Sequence, residues 1–399
     1  MSSDRTVARP FDQAVVLAAG EGKRVRPLTR YQPKPMLRVA GRPILEYPLD
    51  ALVSIGVEEV VLVVGHRRRR IQNHFGDGYD GMDLTYVTQE TRLGSGHALQ
   101  TAEDHVDGEF LVVNGDNVID GTMVGEVARR YARSDAVACL AVAATTSASE
   151  YGTVGVSDGL VDRIDEGGDG ASSRINAGVY AFDRTIFDAL ERTRFRDGER
   201  PLTGAIAELD GKVLAETPNG VWFDSSYPWD LLATNETLLY SYPELVDVDE
   251  RVAGSARVHD SAVIGENVRI GADCKVSAGA VVRGGSCLLS STIVDENAVL
   301  EDSIVGPDAR VGVNTLLRDS IVGSGATIGD GTVSPGRSAT VVLDGTAYAD
   351  RRLGGVVADR ATVGANVTIE PGCRIGPRSS VGAGVTLGRD VDEGAEVVG

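Results

Sequence analysis

The stretch VVLAAGEGKRVRPLTRYQPKPM, residues 15–36, sets two glycines, five basic side chains and three prolines behind an apolar run. A small-residue bend at the end of a strand lets backbone N–H groups approach phosphate oxygens with no side chain in the way. Gly20 and Gly22 supply such a bend, and Lys23, Arg24 and Arg26 stand beside it to neutralise negative charge. An arginine can grip two phosphate oxygens at once, so the chemistry indicated is polyphosphate binding. Gly-x-Gly by itself is a weak signal, because many strand–helix turns contain it.

The rest of the chain makes this local charge stand out. Its 399 residues carry a formal net charge of −19, and lysine occurs only at Lys23, Lys34, Lys212 and Lys275. Neither nucleic acid nor an anionic membrane is expected as a partner, since both require basic surface. An acidic, lysine-poor surface suits a protein kept soluble in high salt, although compositional drift would give the same numbers. The run RRRR at 67–70 opens a helix after a strand and reads as a solvated helix face. No segment is long and apolar enough for a signal peptide or a bilayer span, so a cytoplasmic protein is expected. Cys139, Cys274, Cys287 and Cys373 are widely spaced with no CxxC pair, and the expectation is four buried free thiols. The histidines, His66, His74 and His105 among them, lack ligand spacing.

Two rhythms divide the sequence, and the expected domains are residues 1–245 and 246–399. In the first, AVVLAA (14–19), VEEVVLVVGH (57–66), EFLVVNGD (109–116) and AVACLAVAA (136–144) read as buried strands. PILEYPLDALVSIGV (43–57) and RRRRIQNHF (67–75) read as helices between them. This alternation predicts an α/β, doubly wound domain with a mostly parallel sheet. In the second, aliphatic residues recur every six positions from Val252 through Ile264, Val276 and Leu288 to Leu300, and again from Val357 to Leu387. A period this short is the mark of a parallel β-helix, three hexads closing each triangular coil. The period slips by one around 300–305 and breaks at 334–354. That segment must loop out of the prism, as a plain insertion or as an arm toward a neighbouring subunit.

LAAGEGKRVRPLT followed by PKPM resembles the signature loop of the sugar-1-phosphate nucleotidyltransferase family, usually written LAAGxGTRMxPLT. The likeness continues through QETRLGSGHA (89–98), NGDN (114–117), YGTVGV (151–156), RIDEGG (163–168), NAGVYAF (176–182) and YPWDLL (227–232), in family order. The resemblance implies a Rossmann-like fold and nucleotide binding by Leu17, Ala19, Gly20, Gly22, Gln89, Gly94 and Ser95. It implies sugar contacts from Gly152, Glu166 and Asn176, Mg²⁺ held by Asp116 and Asp230, and catalytic charge from Arg24 and Lys34. Each residue alone has an ordinary explanation: Asp116 as a cap, Asn176 in a turn, Glu166 on the surface. The substrates implied are UTP or dTTP and a hexose-1-phosphate. Many relatives have Glu-Lys-Pro where this chain reads Glu166–Gly167–Gly168, so Arg163 or Arg174 would take over the sugar phosphate, or the metal would carry more of it.

Joined to a hexapeptide-repeat left-handed β-helix, the whole chain resembles the bifunctional uridylyltransferase/acetyltransferase family of N-acetylglucosamine activation, archaeal members included. That family's acetyltransferase uses a histidine base on the β-helix. The matching stretch here, GPDARVGVNTLLRDSIVG (306–323), has none, and its G-T-x-T-A-N segment is replaced by GTVSPG (331–336). The β-helix is therefore expected to build a homo-oligomer. A bifunctional enzyme using another base, and a noncatalytic sugar-nucleotide-binding subunit, are the competing readings.

Overall fold

The computed structural model describes residues 11–65, 67–144, 152–165, 174–246, 251–343 and 345–398. By contact the chain divides into two compact units: Met1–Glu21 with Ile44–Phe223, and Gly22–Pro43 with Asp224–Gly399. Residues 22–43 and 224–245, which the sequence pattern groups with the first 245 residues, thus pack with the hexad region.

The first unit is built on a ten-stranded sheet. In chain order its strands are β1 (Gln13–Ala18), β2 (Glu59–Val64), β3 (Gly78–Tyr79), β4 (Met82–Thr88), β5 (Phe110–Asn114), β6 (Ala138–Ala144), β7 (Thr153–Ser157), β8 (Leu160–Asp165), β9 (Arg174–Phe182) and β10 (Val213–Glu216). They lie in the order β7-β8-β10-β6-β9-β5-β1-β2-β4-β3. The run β5-β1-β2-β4 is parallel throughout. The other half is mixed, because β9 runs antiparallel to both β5 and β6. A mostly parallel sheet is therefore found only on one side. Continuous apolar strands report burial on both faces, and β9 is as buried as the strands of the parallel run; direction is set by the connections. Helices α1 (Glu46–Ser54), α2 (Arg68–Phe75), α3 (Ser95–Gln100), α4 (Gly121–Ala132), α5 (Thr185–Arg192) and α6 (Leu202–Ala207) complete the unit. One face of the sheet buries Val15, Val63, Val112, Leu140 and Phe182 against Leu99, Ile186, Leu190 and Leu202 from α3, α5 and α6.

In the second unit the hexads form three parallel sheets of eight, seven and six strands, the faces of the expected prism. Coil follows coil in register, Val276 on Val294, Val294 on Val311, Val311 on Ile328 and Ile328 on Val363. The buried column these residues form is continuous from Val268 to Val391. Each fully buried Val, Leu or Ile contributes roughly 1.5–3 kcal/mol relative to exposure, so the column is the main source of this unit's stability. Val281 pairs with Val299 one coil on, and Val299 with Leu316, so the second of these coils is a residue shorter. The shortened corners turn through Asp302 and Asp319, both left-handed at φ 49° and 47°, where the preceding coil uses Gly284 at φ 63°. Asp and Asn tolerate that conformation better than other residues carrying a side chain.

The break at 334–354 is a two-stranded antiparallel hairpin, Ser338–Leu343 with Thr346–Arg352. It reaches residues of its own chain, among them Tyr227 and Trp229. Helix α7 (Pro228–Ser241) and the segment 22–43 lie in the same unit. Asn235, 1% exposed, accepts from the Ala40 N–H at 2.7 Å and donates to the Gly285 carbonyl, tying segment, helix and β-helix together. Among the described residues, no helix is long and apolar enough to cross a membrane.

Candidate active site

The glycine bend is specified by contact as well as conformation. Gly22 has φ +63°, and a Cβ there would stand 2.8 Å from Lys34 Cβ and 2.9 Å from Thr29 Cγ2. The Thr29 hydroxyl donates to the Gly22 carbonyl at 2.7 Å and closes the bend. Lys23–Val25 then makes one 3₁₀ turn in which Val25 is fully buried while Lys23 and Arg24 stay exposed. A buried anchor beside two exposed cations is what a phosphate grip requires. Lys34, 5% exposed, opens a third such turn, Lys34–Met36, after Leu28–Arg30. Gly20 is bordered by open space, so its value is free approach rather than fit. Leu17 and Ala19 are buried at the end of β1.

Gln89 follows β4 and is 5% exposed. Its Nε2 donates to the Gly94 carbonyl at 3.0 Å and meets His97 Nδ1 at 3.0 Å. With its NH₂ engaged inward, the amide carries Oε1 as the acceptor for an imide N–H, the edge uracil and thymine share. Gly94 has φ +91°, and a Cβ there would stand 2.8 Å from the Arg200 carbonyl. Ser95 accepts from the Leu202 N–H at 3.0 Å, and the Gly96 N–H donates to the Arg200 carbonyl at 2.9 Å. The 94–96 turn is therefore clamped by residues 200–202. Burial, and then the Arg200 guanidinium, push the His97 pKa down from its ordinary 6.5, so the ring is neutral and its Nδ1 accepts.

Asp116 is half-buried in the turn after β5. Asn176 is engaged within its own strand: its Nδ2 donates to Tyr180 Oη at 2.6 Å, and its Oδ1 accepts from the Gly178 N–H at 3.1 Å. The Gly152 carbonyl receives the Asn176 N–H at 3.4 Å, bringing those two residues together. Glu166 lies outside the described residues. Asp230 is the third residue of α7, and its Oδ2 accepts from the Tyr227 N–H at 2.8 Å in a capping box.

Comparison with known proteins gives the family. A family model described as Nucleotidyl transferase matches residues 13–239, more than half of the chain. The chain belongs to the nucleotidyl transferase family. A model described as GMPPB C-terminal domain matches residues 249–341, and one for bacterial transferase hexapeptide repeats matches 354–389. The chain is 32% identical to a bifunctional protein GlmU of Methanococcus maripaludis over 96% of both chains. It is 36% identical to the UTP–glucose-1-phosphate uridylyltransferase AglF of Haloferax volcanii, over 55% of this chain and 93% of that one. A match at 35% identity to the GlmU protein of Methanocaldococcus jannaschii spans 57% of this chain and 54% of that protein. Among solved structures, a UDP-glucose pyrophosphorylase from Acinetobacter baumannii aligns at TM-score 0.54 and 25% identity, over 59% of this chain and 96% of that one.

As a nucleotidyl transferase the chain needs a divalent cation for its phosphates, so the fit of the residues matters. Asp224, at the start of the second unit's share of residues 224–241, has a buried Oδ2 with no hydrogen-bond partner among the described residues, and the adjacent Ser225 Oγ is in the same state. A buried carboxylate oxygen left unpaired is costly, and a hard cation that prefers oxygen satisfies it. The residues fit. FDSSYPWD carries aspartates at both 224 and 230, and the fold engages one oxygen of each: Asp230 Oδ2 accepts from the Tyr227 N–H at 2.8 Å, and Asp224 Oδ1 accepts from the Ser226 hydroxyl at 2.9 Å while its Oδ2 stays unpaired. Sequence reasoning also missed His97 and Arg200, which have no motif signal of their own. The run GSGHA (94–98) places His97 eight residues after Gln89, and that was the available clue.

Proposed function

We propose that this nucleotidyl transferase joins UTP or dTTP to a hexose-1-phosphate, glucose-1-phosphate or N-acetylglucosamine-1-phosphate, giving a UDP- or dTDP-sugar and pyrophosphate. The observation that carries the reading is the buried Gln89 amide, locked by Gly94 and His97 with Oε1 as its acceptor, in a chain whose glycine bend exposes Lys23 and Arg24. An oxygen of the sugar-1-phosphate attacks the α-phosphorus, the bond from that phosphorus to the bridging oxygen breaks, and pyrophosphate departs with the electron pair. Such transfer depends on positioning and charge neutralisation rather than on a covalent intermediate. Arg24 and the Gly20–Gly22 backbone hold the departing pyrophosphate, and Lys34 offsets charge at the α-phosphate. Gln89 and the Gly94–Ser95 turn orient the base; Gly152, Asn176 and Glu166 serve the sugar. The candidate Mg²⁺ carboxylates are Asp116 in the first unit and Asp224 or Asp230 in the second, and the cation, when bound, would neutralise phosphate oxygens.

A matrix of nucleoside triphosphates against sugar-1-phosphates, read by pyrophosphate release at high salt, tests this. Release confined to UTP or dTTP supports it; no release from any pair overturns it. Acetyl transfer is the second reading, favoured by the full-length match to a bifunctional protein. His259, the one histidine after residue 240, holds Ser261 through Nδ1 at 2.9 Å from the hydroxyl and 3.1 Å from the N–H, which suits a turn better than a base. Consumption of acetyl-CoA with glucosamine-1-phosphate would decide for it. The β-helix serves, in our reading, as an oligomerisation module, testable by light scattering. The four free buried cysteines, with thiol pKa values pushed up by burial, suit a reducing cytoplasm.

A further inference from the structure

We propose that the hairpin looped out of the β-helix belongs to the nucleotidyl-transfer machinery, with Tyr348 the positioning residue for Arg24. The proposal rests on the reading of Arg24 as the cation that meets pyrophosphate.

The hairpin is anchored as a rigid element. Arg352 at its end pairs with Asp302, with Asp319 at 2.6 Å and with Glu236 of α7 at 3.2 Å. The two aspartates are the shortened corners of successive coils, so the slip in the hexad period creates the anchoring site. Val341 and Leu343 are buried on its other strand, and Arg374 donates to the Val342 carbonyl at 3.0 Å.

From this base Tyr348 closes an aromatic cluster. Tyr227 and Trp229 stack at 4.6 Å between ring centroids, 10° from parallel. The Tyr348 ring lies 5.0 Å from Tyr227 and 5.4 Å from Trp229, and the Tyr227 hydroxyl donates to the Tyr348 hydroxyl at 3.1 Å. The outer faces carry cations: the Arg24 guanidinium carbon stands 5.5 Å from the Tyr227 centroid, and that of Arg351 stands 5.3 Å from Trp229. A long exposed arginine has many conformers, and an aromatic face restricts them to those lying along the ring. A charge held in place before the reaction stabilises the transition state without reorganising. Tyr348 sets the plane of the Tyr227 ring and hence the resting place of Arg24. Asp224 and Asp230 flank the same turn, so its order matters to the candidate metal carboxylates as well.

The test is a double-mutant cycle on the full chain, with Tyr348→Ala, Tyr348→Phe and Arg24→Ala. In forward turnover Tyr348→Ala lowers kcat by about 10- to 100-fold, the cost of misplacing a reacting group's partner. The KM for sugar-1-phosphate stays unchanged, Tyr348→Phe recovers most of the loss, and the added effect of Tyr348→Ala vanishes in the Arg24→Ala background. Equal turnover of Tyr348→Ala and wild type, or the same loss in both backgrounds, overturns the proposal. A second readout needs no turnover: inorganic pyrophosphate titrated against tryptophan fluorescence, in a Trp222→Phe background that leaves Trp229 as reporter. Pyrophosphate affinity falls with Tyr348→Ala if the hairpin positions Arg24 and is unmoved if it does not. Wild-type chain that binds pyrophosphate yet releases none from any substrate pair sinks the assigned reaction and leaves the hairpin to be judged by that titration.

Discussion

At the scale of single residues, charge and hydrogen-bond capacity settle which side chains are available for chemistry. Arg24→Ala leaves Val25, the buried anchor of the bend, in place. It is expected to keep the wild-type circular dichroism and lose about 10²–10³ in kcat, the usual cost of one preorganised charge; near wild-type turnover would remove Arg24 from the mechanism. The two aspartates separate in the same way. Asp224→Asn should raise the Mg²⁺ concentration for half-maximal rate at least about tenfold. Asp230→Asn should leave that requirement alone and lower unfolding free energy by about 0.5–2 kcal/mol, a lost cap. Reversed outcomes of the Mg²⁺ titration would return the metal role to Asp230. His97 adds a pH signature. Its pKa is lower in the fold than the ordinary 6.5, so its contribution is complete above 6.5 and is lost as pH falls through the folded value. Protonation puts a donor on Nδ1 opposite the Gln89 NH₂, and Arg200 is the charged group that opposes it. The KM for the nucleotide should rise below pH 6.5 in wild type, and His97→Asn, whose amide oxygen accepts at every pH, should flatten that rise.

Among the elements, the loop between β1 and α1 is held by the last coils of the β-helix at Arg30 and Tyr31, and by α7 and Leu245 at Ala40 and Arg42. Arg30 meets Glu393 of the last coil at 2.5 Å, Tyr31 donates to the same carboxylate, and Arg378 lies 4.8 Å over the Tyr31 ring. Arg42 donates to the Leu245 carbonyl at 2.9 Å, and Ala40 is held by Asn235. Glu393 has its pKa lowered, first by the Tyr31 hydrogen bond and then by Arg30. Asn235→Ala removes a bridging amide and leaves the buried Ala40 N–H and Gly285 carbonyl unpaired. It is expected to cost about 1–3 kcal/mol for each group, read as a lower midpoint in urea. No change would show that the segment 22–43 finds other partners. The AglF relative is matched over 93% of its length by little more than half of this chain, so a nucleotidyl transferase of this kind exists without these supports.

For the whole molecule, the net charge of −19 is the governing quantity. Self-repulsion among surface carboxylates weakens as the Debye length falls from about 10 Å at 0.1 M salt to about 3 Å at 1 M. Melting temperature and turnover are expected to rise together between these concentrations of potassium chloride. A flat or falling response would mean that the acidic composition does not serve high-salt solubility.

The sequence alone carried the hexad β-helix, the α/β alternation and the cationic glycine bend, because each depends on local periodicity or on residue types adjacent in the chain. It also ordered the motifs that name the family. Tertiary structure decided the direction of β9, since apolar strands look alike whichever way they run. It engaged Asp230 as a cap and left one buried oxygen of Asp224 unpaired, a difference that lies only in their surroundings. It placed residues 22–43 with the β-helix and brought Tyr348 to Tyr227, 121 positions away in sequence. Those pairings depend on where chain segments meet in space, and no local pattern records that.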